Sequence, residues 1–357
     1  MDKKDKVVNT YDPKEYQKKP GGKKLKGKRG FFIFLAIVAV IIALSVIIPG
    51  LTGNRSMSGK IFLGDADSLK VGKPYIGELH IAGTITEDSD SLSLTSSDSY
   101  HQKWLLKRID EMIRDNHNKG IILYVDTPGG EVYATDEMYL KLKSYQKKTG
   151  RPVYTYMASE AASGGYYISA ASDKIYANRN CWTGSIGVTM GSVYDLTGLM
   201  KKMGVKAVAI HAGKNKAMGS PTEKLTAEQK KILQGLVDEA YEQFTGIVSK
   251  ERRIPLPETK KLADGRVYTA RQALKNGLID EIGTLDDVIK AIRKDRHIAA
   301  SVPVKDILYK EKNSSFGLLQ KLIGFSQKKS LSEYEQLKAL MEVSGTYTIA
   351  YISEFRK

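Results

Sequence analysis

The chain has 357 residues, with 56 Lys and Arg against 40 Asp and Glu, a formal net charge of +16. Residues 1–30 hold eleven basic and four acidic residues, so +7 lies in a short tail. The remaining excess is spread thinly and without arginine–aromatic interleaving, which argues against a nucleic-acid partner. The single cysteine, Cys181, excludes an intramolecular disulfide framework and reads as a small packed residue.

Along the chain, the basic tail (1–30) leads into FFIFLAIVAVIIALSVII at 31–48, eighteen residues without a charge. As a helix this run covers about 27 Å, close to the hydrocarbon thickness of a bilayer. Lys18, Lys19, Lys23, Lys24, Lys26, Lys28 and Arg29 precede it, which predicts a cytoplasmic N-terminus and an extracytoplasmic remainder. The run is longer than a secretory h-region and no A-x-A site follows it. The expectation is therefore an uncleaved, single-pass anchor in the cell membrane, with a tether over 49–72.

From residue 73 strands and helices alternate. YIGELHIAGTI (75–85) reads as a strand, 86–101 as a polar loop, and 102–117 as a helix with apolar residues at helical spacing. GIILYVD (120–126) reads as a buried strand, and TPGGEV as a turn opening a helix that runs to about 148. Further strands are predicted at 152–158 and 173–177, a long helix at 226–253, and a helix, glycine stop and short strand over 270–283. A last helix follows at 285–295. This order predicts a parallel sheet in an α/β domain spanning 73–297. In the C-terminal extension (298–357), 317–325 is amphipathic and 346–352 is β-like.

The stretch MASEAASGGYYISAA (157–171) sets a serine against paired glycines where a strand gives way to a helix. Ser163 there has helix N–H groups beside its hydroxyl, and Gly164 and Gly165 admit a substrate backbone. The pattern is not G-x-S-x-G. Asp126-Thr127-Pro128-Gly129-Gly130-Glu131 also leaves the C-terminal end of a strand, and Gly130 and Gly164 together supply two donors for an oxyanion. Tyr166 and Tyr167 either line a pocket or fill core. The loop IHAGKNKAMGSP (210–221) brings three candidate bases: His211, Lys214 and Lys216. A lysine serves if desolvation lowers its pKa by roughly three units, a cost of about 4 kcal/mol. The residues alone do not choose between Lys214 and Lys216.

Five motifs carry a resemblance over roughly residues 75–295: TPGG (127–130), AASGGYYISAASDKIYA (161–177), TGSIGV (183–188), GKNKAMGSP (213–221) and ADGRVYTARQALKNGLIDEIG (263–283). The chain resembles the signal peptide peptidase A (SppA) family, membrane-anchored Ser/Lys peptidases related in fold to Clp protease and the crotonases. The resemblance implies a ClpP/crotonase-like α/β fold of repeated βαβ units beyond the anchor. It implies Ser163 as nucleophile, Lys216 as general base and Ser185 as the residue orienting the lysine amine. TPGG becomes the oxyanion loop, with Gly129, Gly130 and Gly164 binding oxyanion and substrate. It further implies remnant signal peptides and misfolded secreted chains as substrates. The single-repeat members form homo-oligomeric rings whose neighbouring subunits complete the active sites. No cofactor and no metal are expected: no Cys/His ligand cluster and no P-loop occur.

The C-terminal tail SGTYTIAYISEFRK (344–357) suggests a strand that enters the peptide cleft and restrains activity. Competing readings are a crotonase-like acyl-CoA enzyme, which has no use for an anchor or for Lys216, a non-enzymatic membrane scaffold or chaperone, and a peptidase using His211 as base.

Overall fold

The computed structural model describes residues 72–87, 100–309 and 350–352. The basic tail, the anchor at 31–48, the tether up to residue 71 and the 317–325 stretch lie outside them. Among the described residues no helix is long and apolar enough to cross a membrane.

The elements in chain order are β1 (Tyr75–Ala82), α1 (Gln102–Arg114), β2 (Asn118–Thr127), β3 (Gly129–Glu131), α2 (Val132–Thr149), β4 (Val153–Ala162), α3 (Gly164–Ser169), β5 (Lys174–Ala177) and β6 (Trp182–Gly184). There follow α4 (Thr197–Lys202), α5 (Ala227–Arg252), α6 (Leu256–Leu262), β7 (Val267–Thr269), α7 (Ala270–Lys275), β8 (Glu281–Ile282), α8 (Leu285–Asp295), β9 (Val304–Ile307) and β10 (Ala350–Ile352). The main sheet runs β7-β6-β4-β2-β1-β9, with β5 beside β4 and β8 beside β5. Every pairing in it is parallel except β6 with β7. This is the mixed α/β sheet with parallel strands that a ClpP-like fold requires.

The central strands are nearly continuous apolar runs because both faces are covered. On one face Leu105, Ile109 and Met112 of α1 pack with Met138 and Leu142 of α2 and with α3. On the other, Val288 and Ile292 of α8 close over Ile76, Ile122, Tyr154 and Tyr156. Threonines set the starts of the later helices. Thr226 accepts from Gln229 N and Gln229 Oε1 accepts from Thr226 N, both at 3.1 Å. The same reciprocal cap recurs at Thr269/Gln272 and Thr284/Asp287.

The strand predicted over 152–158 extends to Ala162 with no turn before Ser163. Its first half pairs with β5 and its second half with β6. The ASEAA stretch (158–162) has none of the β-branched residues that mark a strand, and pairing on both sides overrides that weak propensity.

Candidate active site

Ser163 occupies the junction of β4 and α3. Its backbone is at φ 53°, ψ −114°, a region that costs a non-glycine residue on the order of 1–3 kcal/mol. The amide is tied down by donation to Gly184 O at 2.7 Å. The side chain is 1 % exposed, and its Oγ is buried without a hydrogen-bond partner. A hydroxyl held in strain and left unsatisfied contributes nothing to stability. Such a hydroxyl is a candidate for chemistry.

Ser185 stands beside it. Ala162 of β4 is paired with Gly184 of β6, so the two serines follow paired positions on neighbouring strands, about 5 Å apart. Ser185 is also at positive φ (49°), is buried, and is held by donation from its amide to Arg266 O at 2.8 Å. Gly184 before it has φ 81° and lies so close to the Tyr268 ring that a Cβ would fall 2.4 Å from it. Glycine is therefore required there.

The TPGG loop approaches from β2, the strand next to β4. Thr127 Oγ1 donates to Gly83 O and accepts from Gly129 N, the latter at 3.0 Å. Gly129 itself is at φ 102°. Glu131 N donates to Ile85 O and Ile85 N to Gly129 O. Peptide groups alternate sides along a strand, so the N–H and C=O of Gly130 face away from Ile85. A Cβ on Gly130 would meet Ile85 O at 1.9 Å, so no other residue fits. Gly164 opens α3, which packs against β2, β3 and β4. A Cβ on its neighbour Gly165 would lie 2.6 Å from Thr127 Cγ2. The structure thus gathers Ser163, Ser185, Gly129, Gly130 and Gly164 at the C-terminal ends of adjacent strands.

Lys216 is exposed, in a turn between Gly213 and Gly219, and Ser163 Oγ receives no hydrogen bond from it within the chain. Lys214 is exposed as well and pairs with Glu228 at 2.5 Å. His211 is exposed in the same segment.

Two side readings resolve. Tyr166 and Tyr167 are core: Tyr166 Oη donates to Leu278 O at 2.8 Å, and Tyr167 Oη to Asp136 Oδ1 at 2.6 Å. Cys181 is buried, and desolvation pushes its thiol up to about 12, so it is no nucleophile. Sequence reasoning passed over Ile85, which positions Gly130, and Arg266, whose carbonyl holds Ser185. Both act through backbone atoms, which leave no mark on residue type.

The sequence profile of peptidase family S49 matches residues 145–299, and that of Clp protease matches residues 102–186. The chain is 33 % identical over 317 residues to a putative signal peptide peptidase SppA of Enterococcus faecium, covering 85 % of this chain and 88 % of that one. The chain belongs to the SppA family, peptidase family S49. Two further relatives of this S49 chain are a putative protease of Methanocaldococcus jannaschii (35 % over 231 residues, 65 % of this chain and 73 % of that one) and the chloroplastic serine protease SPPA of Arabidopsis thaliana (30 % over 234 residues, 65 % and 33 %). The S49 chain is accordingly a serine protease, and the acyl-CoA and scaffold readings fall away.

Proposed function

We propose that the chain is a membrane-anchored serine endopeptidase that degrades remnant signal peptides, and misfolded secreted chains, through a Ser163/Lys216 dyad. The observation that carries this reading is the buried, strained and unpartnered Ser163 hydroxyl, set beside Ser185 and the Gly130 and Gly164 amides. In the proposed cycle neutral Lys216 takes the Ser163 proton as Oγ attacks the peptide carbonyl. The amides of Gly130 and Gly164 hold the oxyanion. The ammonium of Lys216 then protonates the leaving amine as the C–N bond breaks. Water, deprotonated in turn by Lys216, releases the acyl group and restores Ser163. Ser185 orients the uncharged amine.

The base reaches the nucleophile in an assembly of copies. Supporting this, the segment carrying Lys216 exposes apolar side chains that a lone chain would not leave in water: Tyr194, Leu199, Met203, Val205, Val208 (83 % exposed) and Ile210 (96 %). Burying such side chains is worth roughly 1.5–3 kcal/mol each, on the order of 10 kcal/mol together before the cost of association. A homo-oligomeric ring would supply the neighbour and also the desolvation that a neutral Lys216 needs. Residues 31–48 would hold this ring against the outer face of the cell membrane, where apolar peptides are concentrated. Substrate would add as a strand along β3, the edge that β10 of the tail occupies: Tyr351 pairs antiparallel with Gly130 and Ile352 with Gly129, and β10 also lies against α3.

The test is cleavage of a fluorogenic signal-peptide segment by the full chain in detergent. Ser163→Ala and Lys216→Ala should each lose about 10⁴-fold or more in kcat, and Lys214→Ala and His211→Ala should stay within about twofold, since an exposed ion pair is worth under about 1 kcal/mol. Full turnover by Lys216→Ala would sink the dyad.

A further inference from the structure

A second cluster of chemistry-bearing side chains lies away from Ser163, where β1 meets the edge strand β9. Glu78 and His80 alternate onto one face of β1, and the register sets Glu78 directly opposite Asp306 of β9. They continue the row begun by Ile76 and Val304. Two carboxylates facing each other across a strand pair repel. Glu78 is moreover nine-tenths buried, where an uncompensated charge is costly. The His80 imidazole is its ion-pair partner.

The geometry around His80 is that of ligands converging on a point. Its Nε2 lies 3.3 Å from Glu78 Oε1 and 2.9 Å from Asp306 Oδ1. That nitrogen is buried and meets both carboxylates as charge contacts. The three ligand atoms lie within 4.8 Å of one another. Ligands about 2.05 Å from a tetrahedral Zn²⁺ lie about 3.3 Å apart, so modest adjustment would admit an ion between them. The imidazole is already oriented: it stacks on Tyr124 (centroids 4.8 Å apart, 21° between planes), which packs on Tyr156. Asp306 is half-exposed, which leaves a side open for a water ligand.

We propose that Glu78, His80 and Asp306 form a binding site for a divalent transition cation, with Zn²⁺ the best match to one imidazole and two carboxylates. The ion takes the place of the His80 ion pairs that otherwise lie between the opposed carboxylates, and it clamps β9, the first strand of the C-terminal extension, to β1. The role is structural, since none of the three residues belongs to the Ser163 site.

The experiment measures Zn²⁺ retained by the metal-stripped full chain after equilibrium dialysis, together with the visible absorption of Co²⁺ put in its place. The wild type should hold one equivalent of Zn²⁺ and show tetrahedral Co²⁺ bands. His80→Gln and Asp306→Asn should weaken Zn²⁺ binding at least about tenfold, as loss of a direct ligand exceeds loss of an outer-shell partner. Both should lose the Co²⁺ bands, with peptidase turnover unchanged as proof of folding. Asp306→Asn, at a half-exposed position, keeps the test valid if His80→Gln does not fold. A wild type that takes up no Zn²⁺, or variants that bind it as the wild type does, would overturn the site. Displacement of Zn²⁺ by equimolar Mg²⁺ would overturn the cation class.

Discussion

Between Val153 and Ile186 most side chains are buried, whereas from Gly191 to His211 none is. The first stretch carries Ser163 and Ser185 on paired strand ends, each held at positive φ by backbone hydrogen bonds. The second, with one short helix and a row of exposed apolar residues, leads to Lys216. A close-packed sheet can hold a serine in strain because its neighbours over-determine the backbone. The outer segment has no such support within the chain. On the proposed reading, Ser163 and the Gly130 and Gly164 amides are set by the single fold, whereas Lys216 as base would need the surface of a neighbouring copy.

The sharpest way to break this contrast is to separate its halves between subunits. Ser163→Ala and Lys216→Ala chains are each expected to be inactive. When they are unfolded and reassembled together, turnover should return to a fraction of wild type set by random mixing, because some nucleophiles will then adjoin an intact Lys216. Failure to regain any activity, with mixed oligomers demonstrated by mass spectrometry, would place both groups in one chain.

A smaller effect is expected from Ile210→Asp. Ile210 is 96 % exposed in the single chain, so the substitution costs the monomer almost nothing. Placing a carboxylate in an apolar contact between copies should dissociate the assembly and lower turnover by about tenfold or more. Sedimentation velocity reads the first outcome and peptide hydrolysis the second. A variant that stays assembled and fully active would remove this face from the interface.

The same division governs how much could be read beforehand. Ser163, Gly130 and Gly164 were legible as candidates, since glycines and a serine at strand ends have a local physical reason to be there, but a tight turn accounts for the same residues and the resemblance made the choice. The central strands and the capped helices follow from periodicity. Ser185 and Lys216 came from resemblance, and within one chain Ser163 Oγ receives no hydrogen bond from Lys216. The Glu78–His80–Asp306 cluster was invisible, since Asp306 is brought to β1 by a strand far along the chain, and sequence reading looks for ligands at short spacing. Strand β6 was missed for a related reason: three residues (WTG) hold no period, and their pairing with β4 makes them a strand.

The tail tests how far the buried half is complete without partners. Tyr351 pairs with Gly130, whose N–H faces away from Ile85 and toward β10, so the tail lies on the edge a substrate strand would use. Three paired residues make a weak competitor. An advantage of about 1 kcal/mol would keep the edge occupied most of the time, and its removal would raise kcat/KM roughly sixfold. Deleting residues 344–357 should therefore increase peptide hydrolysis, chiefly through a lower KM, because the tail competes with substrate and takes no part in the chemistry. A rise in kcat at constant KM would mean that the tail acts on Ser163 itself. Unchanged kinetics would mean that β10 leaves the edge before any peptide arrives, and that the Gly129–Glu131 strand is open in the working enzyme.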